Sequence, residues 1–504
     1  MKKAAFILLL LMPCFAFAQQ SPRSFISDSL DEYVSKALEA WQIPGVAICI
    51  VKDGEIEWMK GYGVRELNKH EKVDEHTLFM IGSNTKAFTA TALAMLHTSG
   101  KLSLDDRVQK WVPDFRMNDP WVSREANIRD LLCHRLGFET FQGDFMFFDS
   151  DLTKQEVKEK MGKLKPVYSF RSKWGYCNSA FMIGGEVIEK ATGKTWAEFM
   201  RDSIFKPLGM NESLPLSIEI EKAGNRASAH TVTSGILKKV PYGKIDNLAP
   251  AGSISSSISD MSRWVMAQLE MGMYNGTQVI PSRAIGITWT PHSILGNGGT
   301  YFNTGHFLLY GLGWMVSEYN GKKIVAHTGG VNGFVTSVTL VPEMKLGIIV
   351  FTNTDANSFY EAAKLEILDA YMGLPYRDYS ALTLKQYEEG NKMTEEWLKL
   401  KRDTIAMVKN KSSLSAYTGE YVSDVYGKMN MKLEGGKLIA RFDHHSGREA
   451  QVDMITPDRF LATFNDHILG TKGWVFKREN GKVKSVTVRV ADFVEFTPYE
   501  FVKK

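Results

Sequence analysis

Cysteine is scarce in this chain, charge is nearly balanced, and no apolar run comfortably spans a membrane. Each shortage excludes a class of protein. Four cysteines occur in 504 residues, and Cys14 falls in the first apolar run. Cys49, Cys133 and Cys177 remain, an odd set that allows at most one internal disulfide and leaves the choice of pair open. The chain is therefore no disulfide scaffold. No CxxC or His/Cys cluster has metal-ligand spacing, so neither a metal nor another cofactor is expected. The formal charge is +4 with no basic block, which argues against a nucleic-acid partner. The longest early apolar run, Ala4 to Phe15, follows two lysines and falls short of the roughly 20 residues a spanning helix needs.

That run is instead read as a secretory signal over residues 1–18, with Ala16-Phe17-Ala18 as the small-x-small cleavage site. The mature chain is then exported across the inner membrane to the periplasm, with no membrane span of its own. Pro13 is a poor residue before a lipid-modified cysteine, so lipoprotein anchoring at Cys14 is not expected.

With 44% apolar and 23% charged residues, the chain has an ordinary globular composition and the length for two or more domains. Residues 24–42 have helical periodicity, with Ile26, Leu30, Val34, Ala37 and Leu38 on one side. Two strand-like runs, VAICIVKDG and EIEWMKGYG, meet at Asp53-Gly54, a hairpin signal. Helical patterns dominate from Leu102 to Leu208, and strand signals return over 310–354. Strands at both ends with helices between them predict an α/β domain over 19–373, built on one mixed sheet with an inserted helical region. Residues 374–411 are densely charged and predict a solvated helical connector, as one helix or a helical hairpin. Residues 412–504 change to short strands with turns at Glu434-Gly435-Gly436 and Asn480-Gly481, predicting a small all-β domain.

The chemistry starts at Ser83-Asn84-Thr85-Lys86. Residues three apart on a helix share a face, so the Ser83 hydroxyl and the Lys86 amine can meet. A serine hydroxyl needs a base to attack a carbonyl, and a desolvated lysine can supply one. Ser203-Ile204-Phe205-Lys206 has the same spacing but lies where Pro207 ends a helix. Ser83 instead follows a glycine and opens a long apolar segment suited to a buried helix.

Two later motifs offer what Ser83 lacks. Tyr176-Cys177-Asn178 precedes a helix near Ser179. A lysine ammonium beside Tyr176 would favour its phenolate, able to take the Ser83 proton and return it to a leaving group. Asn178 would hold Lys86 and a substrate carbonyl. The plain alternative is a loop tyrosine packed on the next helix, and Tyr301-Phe302-Asn303 repeats the pattern. His327-Thr328-Gly329-Gly330 ends a strand-like run, where small residues let backbone approach a substrate. The Gly330 and Ser83 amides would form an oxyanion hole. Read alone, that segment is more simply a Gly-Gly turn beside a half-exposed histidine.

In this order the three motifs resemble those of class C β-lactamases, D-Ala-D-Ala carboxypeptidases and related esterases and D-aminopeptidases. Three further segments carry the resemblance over about residues 25–370. They are Ile128-Arg129-Asp130-Leu131-Leu132-Cys133-His134, Phe205-Lys206-Pro207-Leu208-Gly209-Met210 and Pro250-Ala251-Gly252-Ser253-Ile254-Ser255-Ser256. The resemblance implies a β-lactamase/transpeptidase-like fold, with Ser83 acylated, Lys86 its partner and Tyr176 the general base and acid. Asn178, His327, Thr328, Gly329 and Gly330 would bind substrate, a small molecule or peptide. His327 stands where class C β-lactamases usually carry lysine, so weak or no β-lactam hydrolysis is expected. Arg135-Leu136-Gly137 replaces a Thr-Ser-Gly, and Gln142 stands near the place of a substrate-binding glutamine. Residues 412–504 resemble the lipocalin-like barrel of some peptidase-like members. Peptidase action on cell-wall peptides, ester hydrolysis and a non-catalytic penicillin-binding sensor all remain open, as does the oligomeric state.

Overall fold

A computed structural model describes residues 24–233, 235–408 and 414–504; the expected leader, 1–18, lies outside the described residues. The large sheet holds β1 (Gly45–Lys52), β2 (Glu55–Gly63), β3 (Ser293–Gly296), β4 (Leu308–Tyr310), β5 (Met315–Tyr319), β6 (Lys322–Val331), β7 (Phe334–Val341) and β8 (Leu346–Thr352). Their spatial order is β2-β1-β8-β7-β6-β5-β4-β3. The N-terminal hairpin therefore joins the sheet beside its last strand, in the register Val46↔Thr352.

Each pairing in this sheet is antiparallel, where a mixed sheet was expected. The reason lies in the connections. The later strands follow one another by short returns, and the early hairpin enters against β8 in the opposite sense. No strand–helix–strand crossover is needed to join neighbours, so nothing imposes a parallel pair.

β1 shows why its sequence is apolar throughout rather than alternating. Ala47, Cys49 and Val51 face one core, and Val46, Ile48 and Ile50 face the other. Helix α1 (Leu30–Ala40) and a later helix over Phe359–Met372 bury their apolar residues in the second core. On the opposite face lie α2 (Thr85–Thr98), α3 (Asn178–Thr192) and α4 (Ile258–Leu269). Trp264 of α4 stacks on Phe88 of α2, with ring centroids 3.9 Å apart. Offset aromatic stacking of this kind adds about 0.5–1.5 kcal/mol beyond area burial.

The connector is one helix, Tyr379–Met407, rather than a hairpin. It leads to a closed eight-stranded antiparallel barrel. Its strands are β9 (Gly419–Ser423), β10 (Gly427–Glu434), β11 (Lys437–Phe442), β12 (Glu449–Thr456), β13 (Arg459–Phe464), β14 (Thr471–Glu479), β15 (Lys482–Val488) and β16 (Tyr499–Lys503). Each pairs with the next, and β9 closes on β16 through Tyr421↔Lys503. Tyr421, Met431, Leu438, Phe460, Trp474 and Phe501 are fully buried and fill the interior, as expected for eight strands. No helix among the described residues is long and apolar enough to cross a membrane. Cys49, Cys133 and Cys177 are free, buried thiols, so no pair of them forms a disulfide.

Candidate active site

Gly82-Ser83-Asn84 form one 3-10 turn that runs directly into α2. The turn requires glycine at 82, where φ is +53° and a Cβ would lie 2.8 Å from the Gly330 amide nitrogen. Gly329 is needed for a similar reason, since a Cβ there would collide with the Ile81 carbonyl oxygen. Two glycines on different elements thus let the Ser83 turn sit against the end of β6.

Lys86, on the first turn of α2, is completely buried. Its Nζ donates to Ser83 Oγ at 3.0 Å and to the Ala251 carbonyl at 2.7 Å. It also lies over the rings of Tyr176, 4.7 Å from the centroid, and Phe181, at 5.5 Å. Burial pulls its pKa down to about 7, against the opposing fields of Asp144 and Cys177. Burial holds Tyr176 far above the ordinary phenol range, and a hydrogen bond with Ser83 only partly opposes this. Of the two bases considered from sequence, burial favours the neutral lysine over the phenolate. Lysine gives up its proton near neutrality and tyrosine keeps its own, because both groups sit where no water solvates a charge.

Asn178, the first residue of α3, also departs from expectation. Its Nδ2 donates to Asp144 Oδ2 at 2.5 Å rather than serving Lys86. The carbonyl of Ala251, in the helical turn Ala249–Gly252, takes the lysine instead.

His327 lines the cavity but is only 2% exposed, not the half-exposed residue of the simpler reading. It ends a directed chain of hydrogen bonds. The Cys177 amide donates to His134 Nδ1 at 3.0 Å, which leaves His134 Nε2 to donate to the Tyr310 hydroxyl at 3.2 Å. Tyr310 then donates to His327 Nε2 at 3.1 Å, and His327 Nδ1 donates to the Thr328 carbonyl at 2.6 Å. These partners assign the tautomers, and both rings are neutral. Burial, helped by the field of Lys86, lowers the His327 pKa to about 3 and drives His134 well below its usual value. The chain ties the Tyr176-Cys177-Asn178 loop to the end of β6. Sequence reasoning missed His134 and Tyr310 because a lone histidine and a lone tyrosine carry no spacing signal.

Ser83, Tyr176, Asn178, His327, Thr328, Gly329 and Gly330 line one cavity of about 330 Å³, with Lys86 beneath it. Phe493 and Val494 line it too, although they belong to the barrel. The segment between β15 and β16 therefore forms part of the wall. The competing motifs fall away. Lys206 is exposed. Tyr301 is 46% exposed and donates its hydroxyl to Gln386. Gln142 spends its amide on the Glu139 amide and the Lys165 carbonyl. Arg135, in the altered Arg-Leu-Gly segment, joins Arg171 in clamping Asp130. A larger cavity, about 790 Å³, lies between α1 and the Tyr376–Ala381 region, but Lys36 in its lining is exposed and pairs with Glu32 at 2.6 Å, unlike the buried Lys86.

A family model named Beta-lactamase matches residues 30–372. The chain belongs to the beta-lactamase family. A second model, a domain of unknown function (DUF3471), matches residues 405–503. Among curated proteins, the chain is 27% identical over 424 residues to the unguisins hydrolase of Aspergillus campestris, covering 79% of this chain and 76% of that protein. It is 25% identical over 379 residues to Protein flp of Staphylococcus aureus, covering 71% and 69%. The octameric penicillin-binding protein homologue from Pyrococcus abyssi superposes with a TM-score of 0.59 at 21% identity, over 95% of this chain and 100% of that one. SurE superposes with a TM-score of 0.57 at 18% identity, over 96% and 100%. At such identities the structural likeness is one of fold. A β-lactamase-family fold is thus joined to a barrel whose Phe493 and Val494 line the cavity beside Ser83.

Proposed function

We propose that this β-lactamase-family protein is an exported serine hydrolase that cleaves an amide or ester bond through a Ser83 acyl-enzyme. The observation that carries the reading is the fully buried Lys86 amine, 3.0 Å from Ser83 Oγ and with a pKa near 7. At neutral pH and above, a large fraction of Lys86 is unprotonated and has a lone pair for the serine proton. Oγ then bonds to the substrate carbonyl carbon. The backbone amides of Ser83 and Gly330 receive the oxyanion, a contribution typically worth about 2.7–4 kcal/mol per donor. The Tyr176 hydroxyl relays the proton from Lys86 to the departing nitrogen or oxygen as the carbonyl–leaving-group bond breaks. Water then attacks the acyl ester, and its proton returns along the same groups. Removal of residues 1–18 would place the mature protein, starting at Gln19, in the periplasm.

A fluorophosphonate probe tests the nucleophile. Folded wild type should be labelled and Ser83→Ala should not. Equal labelling of both would transfer the role to another residue, and an unlabelled wild type would end the acyl-enzyme reading.

His327 favours peptidase or esterase work over efficient β-lactam hydrolysis. It is neutral, and both its nitrogens are engaged, so it offers no cation for a substrate carboxylate. A comparison of nitrocefin with peptide, amide and ester substrates reads this directly. N-terminal sequencing of secreted material tests the cleavage site.

A further inference from the structure

The cavity contains a carboxylate that the acyl-enzyme chemistry leaves without a task. Asp144 is 5% exposed and lines the cavity beside Tyr176 and Asn178. One oxygen, Oδ2, accepts from Asn178; the other, Oδ1, receives no hydrogen bond among the described residues. Phe141, Phe148, Trp174 and Phe493 form the surrounding walls, so the acid faces an aromatic space. Lys86 is close enough to affect it but bonds to Ser83 and Ala251 instead.

The barrel fixes where this carboxylate points. The residues on either side of Asp144 are anchored to it: the Gly143 and Phe145 amides donate to Glu495 at 2.7 and 3.1 Å. Glu495 is itself 1% exposed and also accepts from the Tyr426 and Thr497 hydroxyls. The Phe145 ring enters the barrel end and stacks on His445, with centroids 4.3 Å apart and planes 4° from parallel. With the flanking positions pinned toward the barrel, the side chain between them turns to Asn178 and the cavity.

We infer that Asp144 is the recognition group for a primary ammonium on the acyl portion of the substrate, making amides or esters of free amino acids and peptides with an unblocked amine the preferred class. An ammonium supplies the hydrogen-bond donors that Oδ1 lacks, and the aromatic walls favour a cation over a neutral group. Burial raises the Asp144 pKa, and a cation bound beside it would favour its ionised form. The barrel then acts as the brace that aims the recognition residue. This inference rests on the acyl-enzyme reading above.

The test compares D- and L-phenylalanine p-nitroanilides with their N-acetyl forms, alongside fluorophosphonate labelling of each variant. A charge-assisted hydrogen bond is worth enough to predict about tenfold or greater preference in kcat/KM for the free amine in at least one enantiomer. Asp144→Asn should bring that ratio toward one, chiefly through KM, and should remain labelled at Ser83. Glu495→Gln should erode the ratio in the same direction. A labelled wild type that is indifferent to acetylation, prefers the acetylated form or cleaves neither overturns the inference and leaves the acyl-enzyme reading intact. Asp144→Asn that loses labelling and both substrates equally overturns it too, and makes Asp144 a support for Lys86. An unlabelled wild type removes the underlying reading itself.

Discussion

Replacing Lys86 by methionine should abolish acylation and yet stabilise the fold at neutral pH. The lysine is fully buried, and its pKa falls from 10.5 to about 7 because of that burial. Each tenfold change in proton affinity is worth roughly 1.4 kcal/mol, so this displacement corresponds to a folding cost of about 5 kcal/mol. Methionine fills a similar volume without a charge. It leaves the Ala251 carbonyl without its lysine donor, which costs about 1–3 kcal/mol. The net expectation is a gain of about 2–4 kcal/mol at pH 7. The pH dependence gives the sharper test. The unfolded lysine titrates near 10.5 and the folded one near 7. Below pH 7 both states hold the proton and the full cost applies. Between 7 and 10.5 the unfolded chain binds more protons, so wild-type stability rises with pH and the gap to the variant closes. Thermal denaturation of both proteins at pH 7 and pH 10 measures this. A variant less stable than wild type at pH 7, or a gap that does not shrink by pH 10, would refute the claim that Lys86 pays a desolvation penalty.

Three further outcomes follow from the same geometry. The rate of acylation should rise with pH through an apparent pKa near 7 as Lys86 loses its proton, read as kcat/KM or probe-labelling rate; a profile falling over that range contradicts lysine as base. Gly82→Ala must place a Cβ against the Gly330 amide at a φ of +53°, so it should lower both melting temperature and labelling rate, the latter by about tenfold or more if the donor moves by an ångström. Phe145→Ala should cost about 3–5 kcal/mol in chemical denaturation by emptying the barrel end, and a change below 1 kcal/mol would mean that the seam does not depend on the ring.

The legible parts of the site were those encoded locally. Ser83 and Lys86 are three residues apart on one helical turn, and that spacing alone brings Oγ and Nζ together. The Asp53-Gly54 hairpin and the strand pattern around Asn480-Gly481 are local for the same reason. Asp144, His134, Tyr310 and Phe493 were not legible. Each acts through a partner distant in sequence: His134 reaches Tyr310 across 176 residues, and Gly143 reaches Glu495 across 352. No periodicity records such pairings.

Sequence by itself therefore determined the meeting of Ser83 with Lys86, the family resemblance and the presence of a β-rich end, since each depends on neighbouring residues or on composition. Charge states and the shape of the substrate space belonged to the tertiary structure. Whether Lys86 or Tyr176 gives up a proton depends on how completely surrounding elements exclude water, a property of packing rather than of residue type. The barrel's part in the cavity depends likewise on docking: Glu495 and Phe493 are ordinary residues in their own strand connection until folding carries them against Gly143 and Gly330.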